Sequence, residues 1–222
     1  DENGKVTALQ EGKANITVKS ADETITASIL ITVTVADKTD LAAAIKDIEA
    51  YIGLLDNEQI KAYLTAELNK AQEVYGNDRA TDEDVLKALN DLNAAKATAE
   101  MTVTILVQAD DLINTDLSKY DPEGQEEFKQ LVEETKKLME DPITNVEALK
   151  TKVSELETQK AQLIKLDVTA LNNLIAVAED IDMDKYVDDA GKEAFMKALE
   201  DARKVAQAPV SVQQIKDAEK AL

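Results

Sequence analysis

The chain has 222 residues, a formal net charge of −20, and no Cys, His or Trp. Those absences remove every imidazole base, thiol nucleophile, disulfide and His or Cys metal ligand. With 45 Asp+Glu against 25 Lys+Arg, the chain also lacks the basic footprint that nucleic acid or an anionic membrane surface requires. Its apolar content is mostly Ala, Leu, Val and Ile, which favours thin aliphatic cores, and six Gly and three Pro leave room for long helices. No apolar run reaches the roughly 20 residues of a membrane span.

Residues 1–36 read as strand. Ile25, Ala27, Ile29, Ile31, Val33 and Val35 alternate with Thr24, Thr26, Ser28, Leu30, Thr32 and Thr34, the period of a half-buried strand. Ile16 and Val18 mark a second strand and Val6 to Leu9 a third, preceded by an Asn3-Gly4 turn signal. A sheet face carrying Ile16, Val18, Ile31 and Val33 would need a covering layer. The opening Asp1-Glu2-Asn3-Gly4, without initiator Met or signal segment, is what an excised or processed chain would show.

Residues 37–222 read as helix and repeat. Tyr120 and Tyr186 lie 66 apart, and Phe128/Phe195 and Pro142/Pro209 lie 67 apart. Such a period marks a repeated supersecondary unit. In the first unit, Leu41, Ile45, Ile48 and Ile52 predict one helix, and Ile60, Tyr63, Leu64, Leu68, Ala71 and Tyr75 a second that ends at Gly76. Thr81-x-x-Asp84 caps a third, bearing Val85, Leu89 and Leu92. The second unit has Ile105, Ala109 and Leu112, then a helix starting at Asp121-Pro122 with Phe128, Leu131, Val132, Thr135, Leu138 and Met139. Asp141-Pro142 stops it, and Thr144-x-x-Glu147 reads as a capping box stapled by Ile143. The third has Phe195, Leu199, Ala202 and Ala206, then Pro209 and Ser211-x-x-Gln214, and stops at Leu222 before a full third helix.

No Gly or Pro separates Leu92 from Leu112 or Leu149 from Leu174. The last helix of each unit is therefore expected to run into the first helix of the next, with the β-branched stretch Met101–Val107 held in helix by repeat phase. The fold class is mostly α: tandem three-helix bundles joined by continuous helices into a rod, preceded by a short β segment. The boundaries are 1–36, 37–100, 101–166 and 167–222.

Candidate chemistry is sparse. Asp180-x-Asp182-x-Asp184 opens like a calcium loop, but Lys185 and Gly191 stand where that loop needs Gly and Glu. Glu126-Glu127, Glu133-Glu134, Asp110-Asp111 and Asp188-Asp189 are carboxylate pairs without a cleft to work in. No nucleophile elbow or phosphate loop occurs. Tyr120 and Tyr186 read as plugs at a bundle end rather than sugar platforms. Tyr51 and Tyr63 have no aromatic counterparts in the other units, which makes them the candidates for a binding face. The expectation is no catalytic residue, no cofactor and no metal site.

Two resemblances follow from these residues. Asp1–Leu9, Glu11–Val18 and the closing strand Ile29–Val35 resemble the second half of a bacterial immunoglobulin-like group 2 domain. Asp37-Lys-Thr-Asp-Leu41, the Asp-x-x-Lys-Tyr sets at Asp116–Tyr120 and Asp182–Tyr186, and the Pro-x-[Ser/Thr]-x-x-[Glu/Gln] helix starts resemble the FIVAR three-helix module. The resemblances imply a partial immunoglobulin-like sandwich followed by FIVAR repeats. They also imply a secreted or cell-surface, cell-wall-associated protein of a Gram-positive-type bacterium. The function expected is a non-enzymatic spacer whose partners are other modules of its own polypeptide. The alternatives are an adhesin-like module binding a host or cell-wall protein or glycan, and an accessory region of a carbohydrate-active enzyme whose catalytic domain lies elsewhere.

Overall fold

The computed structural model describes Val6, residues 11–185 and residues 188–222. These residues form two strands followed by eight α-helices, and the chain divides into two compact units, Asp1–Met101 and Thr102–Leu222.

In the first unit, β1 (Gly12–Lys19) and β2 (Thr26–Val33) pair antiparallel, with Ile16 opposite Ile29 and Ala14 opposite Ile31. Opposite residues share a face, so Ala14, Ile16 and Val18 with Ala27, Ile29 and Ile31 make an apolar side. Thr17 and Ser28, joined by a 2.7 Å hydroxyl hydrogen bond, lie on the polar side. The connecting loop is closed by the Asp22 carboxylate, which accepts from the Ser20 hydroxyl and the Thr24 N–H. Those bonds, led by Ser20, hold the Asp22 pKa down at about 2. The expected strand from Ile25 to Val35 is shortened to Thr26–Val33. Val6 is exposed and outside either strand, while Asn3-Gly4 and the rest of the expected third strand lie outside the described residues.

Helix α1 (Thr39–Ile52) buries Leu41, Ile45 and Ile48 on one stripe. Its entry is set by Asp37, whose Oδ1 accepts the Thr39 N–H at 2.9 Å. Lys38 donates from Nζ to the carbonyls of Tyr75 and Asn77, at 2.8 and 2.7 Å. Those carbonyls sit at the end of α2 (Glu58–Gly76), where helical acceptors are unsatisfied and a cation is favoured. Asn57 caps the other end of α2 by accepting from the N–H groups of Gln59 and Ile60. Helix α3 spans Asp82–Ile113. Its start is the expected reciprocal box: Thr81 donates its N–H and hydroxyl to Asp84, and Asp84 donates its N–H to the Thr81 hydroxyl. Leu41, Ile45 and Ile48, Leu68 and Ala71, and Val85 and Leu92 meet in one buried cluster, which Ala36 also enters from the end of the hairpin. Each such leucine contributes about 1.5–3 kcal/mol on burial. The ion pairs around it are exposed and worth less than about 1 kcal/mol apiece. The aliphatic cluster therefore dominates.

In the second unit, α4 (Gln125–Met139) packs on α5 (Val146–Gln162). Phe128, Val132, Leu149, Val153 and Leu156 are buried, and Lys152 ties the pair by an ion pair to Glu134 at 2.7 Å. The buried Thr135 satisfies its hydroxyl on the Leu131 carbonyl. Helices α6 (Thr169–Glu179), α7 (Asp189–Gln207) and α8 (Val212–Ala221) share a second cluster of Leu171, Ile175, Ala178, Leu199, Ala202 and Ile215. Met139 and Gln207 end their helices just before Pro142 and Pro209, as expected.

The two expected joints come out differently. Met101–Val107 is helical within α3, so no break falls there. Between α5 and α6 the helix does break, against expectation. Leu163 is extended, and Thr169 donates its N–H to Asp167 at 2.9 Å, the same start that Asp37 and Thr39 give α1. The broken stretch is held by pairing: Leu166 donates to the Lys119 carbonyl, Asp121 donates to the Ile164 carbonyl, and Tyr120 bridges Lys165. Asp-x-Thr thus starts α6 without Gly or Pro, four residues beyond the extended Leu163 that follows α5. At the matching place in α3, four residues before Ile105 as Asp167 is before Leu171, stands Met101, which has no acceptor.

Two helix starts are also corrected. Asp121-Pro122 does not open α4. Asp121 accepts the Glu123 N–H, Gly124 turns at φ 80°, and the helix begins at Gln125. Thr144 and Glu147 form no capping box, because Asp141 draws the Thr144 N–H into a preceding turn and α5 starts at Val146. Ser211 does cap α8, through the Gln214 N–H.

Candidate interaction surfaces

The carboxylates singled out in the sequence do not converge. Adjacent helical positions point about 100° apart. Accordingly Glu133 pairs within α4 with Lys136, while Glu134 reaches across to Lys152 on α5. Glu126 pairs with Lys129, Asp110 accepts from Asn114, and Asp189 lies 3.8 Å from Lys192. Asp182 accepts the Asp184 N–H and pairs with Lys185 at 3.0 Å, while Asp180 ends α6. Among the described residues no group of three or more Asp or Glu is placed to hold a metal ion.

Displaced carboxylate pKa values among the described residues all move downward. Hydrogen bonds from Thr39, Ser118 and Thr169 lower Asp37, Asp116 and Asp167. The backbone of Thr81 lowers Asp84, and that of Glu123, then Val212, lowers Asp121. Lys136 and Lys152 do the same for Glu133 and Glu134. This direction favours the ionised form, opposite to that of a carboxylic general acid.

Tyr120 is half-buried and its backbone lies in the pairing with Lys165, so it sits at the end of its helical set. Tyr186 lies outside the described residues. Tyr63 is half-buried. Tyr51 lies under the Lys96 ammonium, 5.6 Å from the ring centre, and Lys96 is paired with Asp47 at 2.6 Å. Burial, and then Glu100, pushes the Tyr51 hydroxyl pKa up, with Lys96 opposing. Of the two tyrosines expected to mark a binding face, Tyr51 thus stacks under a lysine of its own unit.

On the sheet face that was expected to need a covering layer, Val18 and Ile29 are 66% and 63% exposed, while Ile16, Ile31 and Val33 are half-buried. Two features were not anticipated. Asp121 Oδ2 accepts the Val212 N–H at 2.6 Å, so a loop before α4 caps the start of α8, 91 residues away. Finally, a groove of about 500 Å³ is lined by Ile181, Met183, Gly191 and Phe195 together with the charged side chains of Lys185, Asp188 and Lys192. A sequence signal for the groove did exist in the repeat-matched glycines and phenylalanines.

Compared with known proteins, the chain matches no family model, and no match was found among curated proteins or solved structures.

Proposed function

We propose that residues 37–222 are three tandem three-helix bundles and that the chain is a non-enzymatic spacer within a larger secreted or cell-surface protein. The observation that carries this is the recurrence of one local frame. The Asp-x-Thr start recurs at Asp37 and Asp167. The Asp-capped 3-10 turn recurs at Asp116 and Asp182, each paired with a lysine three residues on. Recurring frames around small aliphatic cores suit a device whose output is length. The FIVAR and immunoglobulin-like resemblances support placing it at a Gram-positive-type surface. In this reading α3 is a continuous joint between the first two bundles. The second joint is a clasp, made by the Tyr120–Lys165 pairing and the Asp121–Val212 hydrogen bond. The surface carboxylates keep neighbouring molecules apart.

The test is a binding screen of the purified chain against cell-wall glycans and purified host matrix proteins. The spacer reading expects no saturable binding. Saturable binding to one of them, abolished by changing a single helix face, would establish the adhesin reading in its place.

A further inference from the structure

Helices α6, α7 and α8 are attached to the helices before them at two places. Their buried cluster of Leu171, Ile175, Ala178, Leu199, Ala202 and Ile215 takes in no residue of α4 or α5. Bodies with separate cores move relative to one another unless something pins them. The first attachment is the joint itself. Leu166 donates its N–H to the Lys119 carbonyl at 2.9 Å, and Asp121 donates its own to the Ile164 carbonyl at 2.7 Å, which fixes residues 164–166 on the loop between α3 and α4. That loop is fixed in turn by α4, whose Gln125 donates from Nε2 to the carbonyls of Leu117, Tyr120 and Asp121. Beyond Leu166, only Asp167 and Val168 lead to the start of α6 at Thr169. An attachment at one such place is a pivot.

The second attachment lies far along the chain. Asp121 Oδ2 accepts the Val212 N–H at 2.6 Å. Val212 is the first residue of α8. The box at that start, with Ser211 accepting from Gln214 and Gln214 Oε1 accepting from Val210, leaves the Val212 N–H to an acceptor from outside. Helix α8 also has no acidic residue in its own first turn, where α3 has Asp82, Glu83 and Asp84 and α4 has Glu126 and Glu127. Asp121 supplies the negative charge that a helix start favours. Its other oxygen accepts the Glu123 N–H at 3.0 Å, so the carboxylate is held from its own side as well.

We propose that Asp121 is the pin of a hinge. Bound to Val212, it fixes the α6–α8 set on the α4–α5 pair; released, it lets the set turn about Asp167 and Val168. The inference rests on the spacer reading and deepens it: the second joint is stiff only while one carboxylate holds one N–H, and the Tyr120–Lys165 pairing alone leaves it free to swing.

The chain has no Cys, so Lys150→Cys on α5 and Lys197→Cys on α7, both at exposed positions, take nitroxide labels at those two places alone. The distance between the labels in the full chain is read by double electron–electron resonance. A single narrow distribution is expected with Asp121 and Val212 in place. Asp121→Ala should broaden it roughly twofold or more, the mark of a freed hinge. Val212→Pro removes the donor instead: proline suits the first residue of a helix, and Ser211 before it is already extended at φ −153°, ψ 159°. It should broaden the distribution as Asp121→Ala does, and the two together should broaden it no further. An unchanged width in either variant overturns the proposal, as does added broadening in the double variant or a distribution that is already broad in the unaltered pair. Such a failure leaves the spacer reading standing, since the binding screen decides that.

Discussion

Asn57 closes the two N–H groups of Gln59 and Ile60 at the start of α2, and Asn57→Ala leaves both without that acceptor. It is expected to cost about 1 kcal/mol, seen as a lower urea midpoint. An unchanged midpoint would mean that water replaces the cap at no cost. Several aspartates act at the same scale through charge. Asp37, Asp84, Asp121 and Asp167 have folded-state pKa values lowered by the N–H and O–H groups they accept from. A lowered folded pKa means the stabilisation is present above the unfolded value, near pH 4, and is lost as pH falls through the folded values. The urea midpoint should therefore drop below about pH 4. Asp37→Asn and Asp167→Asn should flatten that drop, because the amide oxygen still accepts but does not titrate. A midpoint that holds or rises through this range would contradict the assignment.

At the scale of elements, the apolar stripes were legible because they repeat every three or four residues. Leu41, Ile45 and Ile48, or Leu199 and Ala202, are buried where the pattern puts them. Starts and joints were harder, since they depend on which acceptor reaches which N–H. Asp121 precedes a proline, as a helix cap would, but its two oxygens serve Glu123 and Val212 instead. The break after Gln162 was missed because Gly and Pro were taken as the only helix breakers, whereas here Asp167 and Thr169 set a new helix start after the extended Leu163. That explanation is testable in α3. Met101→Asp with Val103→Thr writes the Asp-x-Thr trio into the unbroken helix. Carbon chemical shifts should then show non-helical backbone at residues 100–102 while those of α1 and α2 stay unchanged. Unbroken helical shifts through residue 101 would show that the trio is not sufficient.

For the whole molecule, the composition sets the terms. Forty-five acids on 222 residues leave most carboxylates facing water or a nearby lysine, and the described ones with displaced pKa values are held ionised. Of the described aromatics, Phe128 is buried and Tyr51 lies under Lys96, while Tyr75 is 47% exposed. The proposed tandem bundles have a direct measurement, amide hydrogen exchange of the full chain read residue by residue. The account predicts slow exchange at Leu64, Leu156 and Ile175, one buried position in each proposed bundle; exchange at the rate of an unfolded chain at any one of them would contradict it.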